Sequence, residues 1–203
     1  MRFLKHIFPN KQVKDDIIVV SGLPRSGTSM MMGMLEAGGV EILTDCVREA
    51  DEDNPKGYFE FEPVKQLAQD RSKSWLEDAP GKAVKVISEL LKELPSGFSF
   101  RLIFMNRNLE EVIASQNKML VRRGEPPAAG DDEKMMLLFE RHLEKVKQWI
   151  DRQSHFEVLF LDYKKVLEDP DGQAEQIKAF LQRELDLTEM ARVVDRQLYR
   201  NRS

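Results

Sequence analysis

The sequence predicts a three-layer α/β/α domain on a central, mainly parallel sheet. Three observations carry that expectation. Four apolar segments of strand length alternate with longer helical patterns, the arrangement of an α/β domain. Most of these segments read as nearly continuous apolar runs, as strands covered on both faces do. A glycine-rich turn follows the first segment and leads straight into a helical pattern.

The elements follow in order. "DIIVVSG" (16–22) is rich in β-branched residues and closes on glycine, so it predicts the first strand. From Thr28 a helix begins that carries Met30, Met31, Met32, Met34 and Leu35, and Gly38 and Gly39 suit its end. Its methionines predict adaptable packing against the sheet. "KAVKVI" (82–87) alternates more than the others and is placed nearer an edge, whereas "RLIFMN" (101–106) and "FEVLFLD" (156–162) complete the strands.

Met136, Phe139, Leu143, Val146 and Ile150 recur at spacings of three and four, which predicts a helix over 132–150 with one buried stripe. Two closing helices are expected in "EDPDGQAEQIKAFL" (168–181) and "LTEMARVVDRQL" (187–198), with Asp171 and Thr188 as caps. Between helical patterns, "VRRGEPPAAGDDE" (121–133) combines paired prolines, a glycine and small residues. It predicts a mobile surface loop, either a plain connection or a lid.

No repeat or dividing linker interrupts this pattern, so residues 1–203 are expected to form one domain behind a polar leader, 1–14. A formal charge of −4 gives no bulk attraction to nucleic acid, so any polyanion must be held by local basic residues. The apolar run Ile17–Val20 is far too short for membrane insertion. "MRFLKHIFPN" lacks the apolar core and cleavage site of a signal peptide. The single cysteine, Cys46, has no second cysteine for an internal disulfide or a metal pair and reads as packing; a cytoplasmic location is expected.

The glycine turn is the chemical signal. Gly22-Leu23-Pro24-Arg25-Ser26-Gly27-Thr28-Ser29 has the spacing of a phosphate loop between a strand and a helix. Its glycines let successive amides turn inward, and the helix adds its positive end. A nucleoside-triphosphate hydrolase would carry lysine after the second glycine; here Thr28 stands there and the cation, Arg25, lies inside the loop. Asp162, at a strand end, then reads as structural rather than as a magnesium ligand. The arrangement favours a shorter anion over a triphosphate.

These residues resemble a known family. "PRSGTS" is similar to the 5′-phosphosulfate loop of sulfotransferases that use 3′-phosphoadenosine 5′-phosphosulfate (PAPS). "RLIFMNRNLEEVIASQ" resembles their 3′-phosphate motif, an arginine at a strand end and a serine eight residues on, here Arg107 and Ser115. Asn108 and Leu109 replace the acid and proline that usually follow the arginine. "DNPKGYFE" (53–60) and "FLDYKKVLEDP" (160–170) resemble further stretches of bacterial members, so the likeness runs over 16–181. The chain is short for the family, which implies a reduced acceptor-enclosing region whose apolar residues a homodimer would cover.

The resemblance implies the sulfotransferase form of the phosphate-loop fold, with PAPS as cofactor and no metal. It implies that Gly22, Arg25, Ser26, Gly27, Thr28 and Ser29 bind the phosphosulfate, and that Arg107 and Ser115 bind the 3′-phosphate. Arg25 would be the catalytic cation, stabilising charge on the bridging oxygen as sulfur leaves it. The acceptor, a hydroxyl or amine of a small molecule or carbohydrate, needs a base. Glu60, after a glycine and two aromatics, is the expected one, with Glu62 and Asp45 in reserve. His6, His142 and His155 lie outside the motifs and read as structural or solvated. The alternatives are a nucleotide or small-molecule kinase and a non-catalytic nucleotide-binding protein of the same fold.

Overall fold

The computed structural model describes residues 16–45, 59–70, 72–126 and 132–195. The leader, Cys46, His6, residues 53–58 of the "DNPKGYFE" stretch and 127–131 of the predicted loop lie outside them. Four strands, β1 (Ile17–Gly22), β2 (Ala83–Lys85), β3 (Phe100–Asn106) and β4 (Phe156–Asp162), form one sheet in the order β2-β1-β3-β4. Every pairing is parallel, with Gly22 beside Met105 and Val20 beside Lys85. β2 is the edge strand that its alternation predicted, but it is shorter than the 82–87 segment. After Lys85 the chain turns into a 3-10 helix, Ser88–Glu93.

Seven helices are described: α1 (Thr28–Ala37), α2 (Glu62–Lys65), α3 (Leu109–Arg122), α4 (Asp132–Ile150), α5 (Tyr163–Glu168), α6 (Pro170–Leu181) and α7 (Leu187–Val193). Side chains alternate along β1. Ile18 and Val20 therefore face a core shared with α1, α6 and α7, and Ile17 and Val19 face one closed by α4 and the 3-10 helices. The three layers follow. Met31, Met32, Met34 and Leu35 are fully buried. At about 1.5–3 kcal/mol for each buried side chain, they fix α1 and thereby the position of its first turn.

Three local expectations need correction. The stripe on α4 is half-buried except for Ile150, because that helix covers the sheet at the molecular surface. α6 is capped by Asp169, whose carboxylate accepts from the Gly172 amide, rather than by Asp171; Pro170 takes the first helical position. α7 is capped by Asp186 rather than Thr188. In addition, α3 runs through Arg122 and α4 starts at Asp132, so both ends of the predicted 121–133 loop are helical.

Candidate functional site

The strand order places the functional loops. From β1 the chain builds outward to β2 on one side, and β3 leads outward to β4 on the other. The crevice at the carboxyl ends of β1 and β3 is therefore the point where ligands bind in open α/β sheets. The loop after β1 carries residues 23–27, and the loop after β3 carries Arg107. Two motifs more than eighty residues apart in sequence thus emerge side by side.

The phosphate loop has the backbone its glycines permit. Gly22 has φ +151°, and a Cβ there would lie 2.5 Å from Ser26 Oγ and 2.6 Å from the Met105 carbonyl. Gly27 has φ +98°, and a Cβ there would enter the Tyr163 ring. Arg25 adopts φ 70°, a left-handed conformation unusual for a long side chain. No side chain caps α1, whose N-cap is Gly27, so its first amides face the loop's interior. Ser26 is almost fully buried, and its Oγ has no hydrogen-bond partner. A buried hydroxyl without a partner costs about 1–3 kcal/mol. An anion held by the loop would satisfy it, so these residues fit a bound phosphate or phosphosulfate.

The arginines knit the two motifs together. Arg25 Nε donates to Ser115 Oγ at 3.0 Å, and an Arg107 guanidinium N–H donates to the Arg25 carbonyl at 3.0 Å. Arg107 Nε also bonds the Glu111 carboxylate at 2.9 Å, with both side chains more than nine-tenths buried. Its guanidinium lies 4.3 Å from the centre of the Tyr163 ring. Burial pushes the Tyr163 phenol above its ordinary value, with Arg107 opposing that shift. The ring therefore stays neutral at physiological pH. Asn108 caps α3 by accepting from the Glu111 amide, so the departure from the family's acid and proline still makes a helix start.

Lys85 was not singled out in the sequence. Its Nζ lies 3.5 Å from Ser29 Oγ, bringing a second cation to the loop. A lysine in a short alternating segment carries no local signal; only the pairing of β2 beside β1 aims it here. Tyr163 was likewise missed as the ring that packs against both Gly27 and Arg107. Asp162 accepts from the Lys164 and Lys165 amides and caps α5, in agreement with its structural reading.

Glu60 lies at this end of the sheet on the β2 side. Its carbonyl accepts from Thr44 Oγ1 at 2.9 Å, and the segment before Thr44 runs beside β2 through the Ile42–Ala83 bridge. Its carboxylate is 3.2 Å from Lys65. The Lys65 ammonium is held above its ordinary value by hydrogen bonds to Glu62 and then Glu60. The reserves are also engaged: Asp45 accepts from the Glu62 amide, and Glu62 pairs with Lys65. The His155 ring meets Phe100 edge-on and Phe156 at a tilt at the opposite, amino end of the sheet. A cavity of about 520 Å³ lined by Leu67, Asp70, Lys73, Glu77, Glu93 and Phe98 shares no residue with the site.

Among the described residues, no group of His, Cys, Asp and Glu side chains could hold a metal, and no helix is long and apolar enough to cross a membrane. No curated protein sequence matches the chain. Solved structures do. Sulfotransferase STF1 of Mycobacterium tuberculosis is 16% identical with a TM-score of 0.58, over 89% of this chain and 70% of that one. The sulfotransferase domain of the Synechococcus PCC 7002 olefin synthase is 14% identical with a TM-score of 0.56, over 92% and 80%. Mouse sulfotransferase SULT7A1, solved with 3′-phosphoadenosine 5′-phosphate (PAP), is 20% identical with a TM-score of 0.52, over 89% and 63%. These likenesses share the fold. The sulfotransferase domain family model matches residues 14–202, nearly the whole chain, and with it the loop, the strand-end arginine and the parallel sheet come under one description: the chain belongs to the sulfotransferase family.

Proposed function

We propose that this protein transfers a sulfuryl group from PAPS to a hydroxyl or amine on a small molecule or carbohydrate, in the cytoplasm. The observation that carries the reading is the linkage of the two motifs, Arg25 to Ser115 and Arg107 to the Arg25 carbonyl. One cradle can then hold both ends of a nucleotide phosphorylated at its 3′ and 5′ positions. Bound there, the phosphosulfate supplies an activated sulfuryl group.

The protein's residues divide the work. The amides from Ser26 to Ser29 and the Ser26 hydroxyl hold the 5′ anion at the start of α1. Arg25 and Lys85 set positive charge where the bridging oxygen becomes an oxyanion, and preorganised charge of this kind commonly contributes several kcal/mol. Arg107 and Ser115 hold the 3′-phosphate, with Glu111 and the Tyr163 ring keeping the guanidinium in place. Glu60, at the β2 side of the same crevice, is the acceptor-side carboxylate that takes the acceptor's proton. A PAP-bound relative of the same fold supports the donor assignment by analogy.

Calorimetry with PAP tests this reading. Micromolar binding by the folded protein, unaffected by a chelator, is expected. Absence of PAP binding would refute it, and magnesium-dependent ATP binding in its place would point to the kinase alternative. PAP binding with no donor turnover would identify a non-catalytic relative.

A further inference from the structure

Beside the donor cradle, one large apolar side chain stands open to solvent. Ile87 is 41% exposed, although it lies only two residues after Lys85, whose Nζ is 3.5 Å from Ser29 Oγ. β2 ends at Lys85, but the Val86 amide still bonds the Val20 carbonyl and Ile87 keeps an extended backbone. Side chains therefore go on alternating past the end of the strand. Val84 and Val86 are buried in the core that the 3-10 helices close, so Lys85 and Ile87 turn the other way, to the face that α1 covers. Ile87 thus stands outward of the lysine that reaches the phosphate loop.

Two neighbours complete this corner. The segment before Thr44 runs beside β2 through the Ile42–Ala83 bridge, with Ile42 packed on the α1 side and Leu43 on the other, so Thr44 returns to the α1 face next to Lys85. Thr44 Oγ1 donates to the Glu60 carbonyl, which brings Glu60 to the same place. Phe59, the residue before Glu60, packs on α1. Its Cζ lies 3.8 Å from where a Gly33 Cβ would stand, and Gly33 is one turn after Ser29 on that helix. Lys85 and Phe59 therefore meet one face of α1 in successive turns, with Ile87 two residues after the first and Glu60 directly after the second.

We propose that Ile87 is a specificity-determining residue of the acceptor site, and that with Phe59 it selects a hydroxyl or amine carried on an aliphatic or aromatic scaffold over one carried on a carbohydrate. This rests on the sulfotransferase reading above. The sulfur of a bound donor adjoins the bridging oxygen that Arg25 and Lys85 serve, so the scaffold behind the attacking oxygen or nitrogen comes to rest on the side chains just outward of Lys85. Those side chains are carbon surface. As the acceptor's lone pair bonds to sulfur, the bond from sulfur to the bridging oxygen breaks, its electron pair leaves on the 5′-phosphate, and the acceptor proton passes to Glu60. A hydrocarbon scaffold gains by leaving water against Ile87 and Phe59. A sugar would press neighbouring hydroxyls onto the same side chains, which offer them no partner, and each hydroxyl so buried weakens binding by about 5- to 150-fold.

Methyl NMR of the full chain with labelled isoleucine tests the contact without turnover. With PAP bound, 2-naphthol and 1-octanol should shift the Ile87 methyl resonances and leave those of Ile177, fully buried in α6, in place. Methyl β-glucoside should shift neither. Ile87 methyls that stay still with both apolar probes, or that move as far with the sugar, would overturn the proposal.

Kinetics with PAPS as donor supply a second measurement. Transfer to 2-naphthol should exceed transfer to methyl β-glucoside in kcat/KM, and Ile87→Asn should lower the 2-naphthol value about 10-fold with PAP affinity unchanged. Ile87→Leu should keep that value, and so should Val121→Asn, a change at an exposed apolar position on α3. A parental rate in Ile87→Asn, faster transfer to the sugar, or PAP binding with transfer to neither 2-naphthol nor 1-octanol would overturn the specificity assignment and leave the donor site standing. Absence of PAP binding would remove the sulfotransferase reading itself.

Discussion

Truncating Arg107 should damage the protein in two separable ways. The guanidinium lies with Glu111 in a pair whose side chains are 8% and 5% exposed, so Arg107→Ala leaves that carboxylate buried without its Nε donor. Breaking one partner out of a buried pair costs about 3–5 kcal/mol. For a chain of this size that lowers Tm by about 6–20 °C. The same truncation removes a charge-assisted contact to the 3′-phosphate, worth about 1.5–3 kcal/mol, or roughly 10- to 150-fold in PAP affinity.

The double variant Arg107→Ala/Glu111→Ala separates the two effects. With both charges gone, most of the lost Tm should return while PAP affinity stays low. Differential scanning calorimetry reads the first quantity and titration calorimetry the second, both below the lowest Tm of the set. If the double variant regains parental PAP affinity, Arg107 acts only by balancing Glu111 and the 3′-phosphate assignment fails. If Arg107→Ala melts with the parent, the buried pair is not supporting the site.

Other perturbations probe the loop, the donor chemistry and the amino end of the sheet. Gly27→Ala forces a Cβ at φ +98° into the Tyr163 ring, and a cost of about 1–3 kcal/mol should appear as a Tm lower by about 2–12 °C together with weaker PAP binding. A variant that keeps both would show that the loop is free to rearrange. Arg25→Asn removes the charge while tolerating the left-handed φ of 70°. Donor turnover should fall about 10²–10³-fold, with a much smaller change in PAP affinity because PAP lacks the sulfuryl group; equal losses in both would deny Arg25 a transition-state role.

Burial holds the His155 imidazole below its ordinary value of 6.5. The unfolded chain then binds the extra proton first as pH falls, so stability is full above about 6.5 and declines below it. Urea midpoints at several pH values between 5 and 8 should show that decline, with a shallower slope in His155→Asn; identical slopes would refute it.

The motifs that name the family were local and therefore legible. Gly22 and Gly27 mark a backbone path that few other residues can follow, and the apolar runs of β1, β3 and β4 mark strands buried on both faces. Arg107 and Ser115 were legible through their resemblance to the family's strand-end arginine and the serine eight residues on, a spacing that one strand end and the helix after it hold fixed. The caps were missed by two residues because several acids and a threonine near each helix start offer similar hydrogen bonds, and only the chain's actual path selects Asp169 and Asp186. The α4 stripe was legible as a period, whereas its half-burial depends on how much of the sheet that helix overhangs.

By itself, the sequence determined the strands, the glycine-shaped backbone of the loop and the two arginine-bearing motifs, since each depends on residues close in the chain. Tertiary structure decided what those parts touch. The order β2-β1-β3-β4 brings Lys85 to Ser29 and Arg25 to Ser115, and it seats Arg107 between Glu111 and the Tyr163 ring. It also joins Ser88 to His142 across fifty-four positions. A lone lysine, tyrosine or histidine carries no periodic signature, and hydrogen bonds act only over about 3 Å, so such partners become visible once strand pairing has set the neighbours.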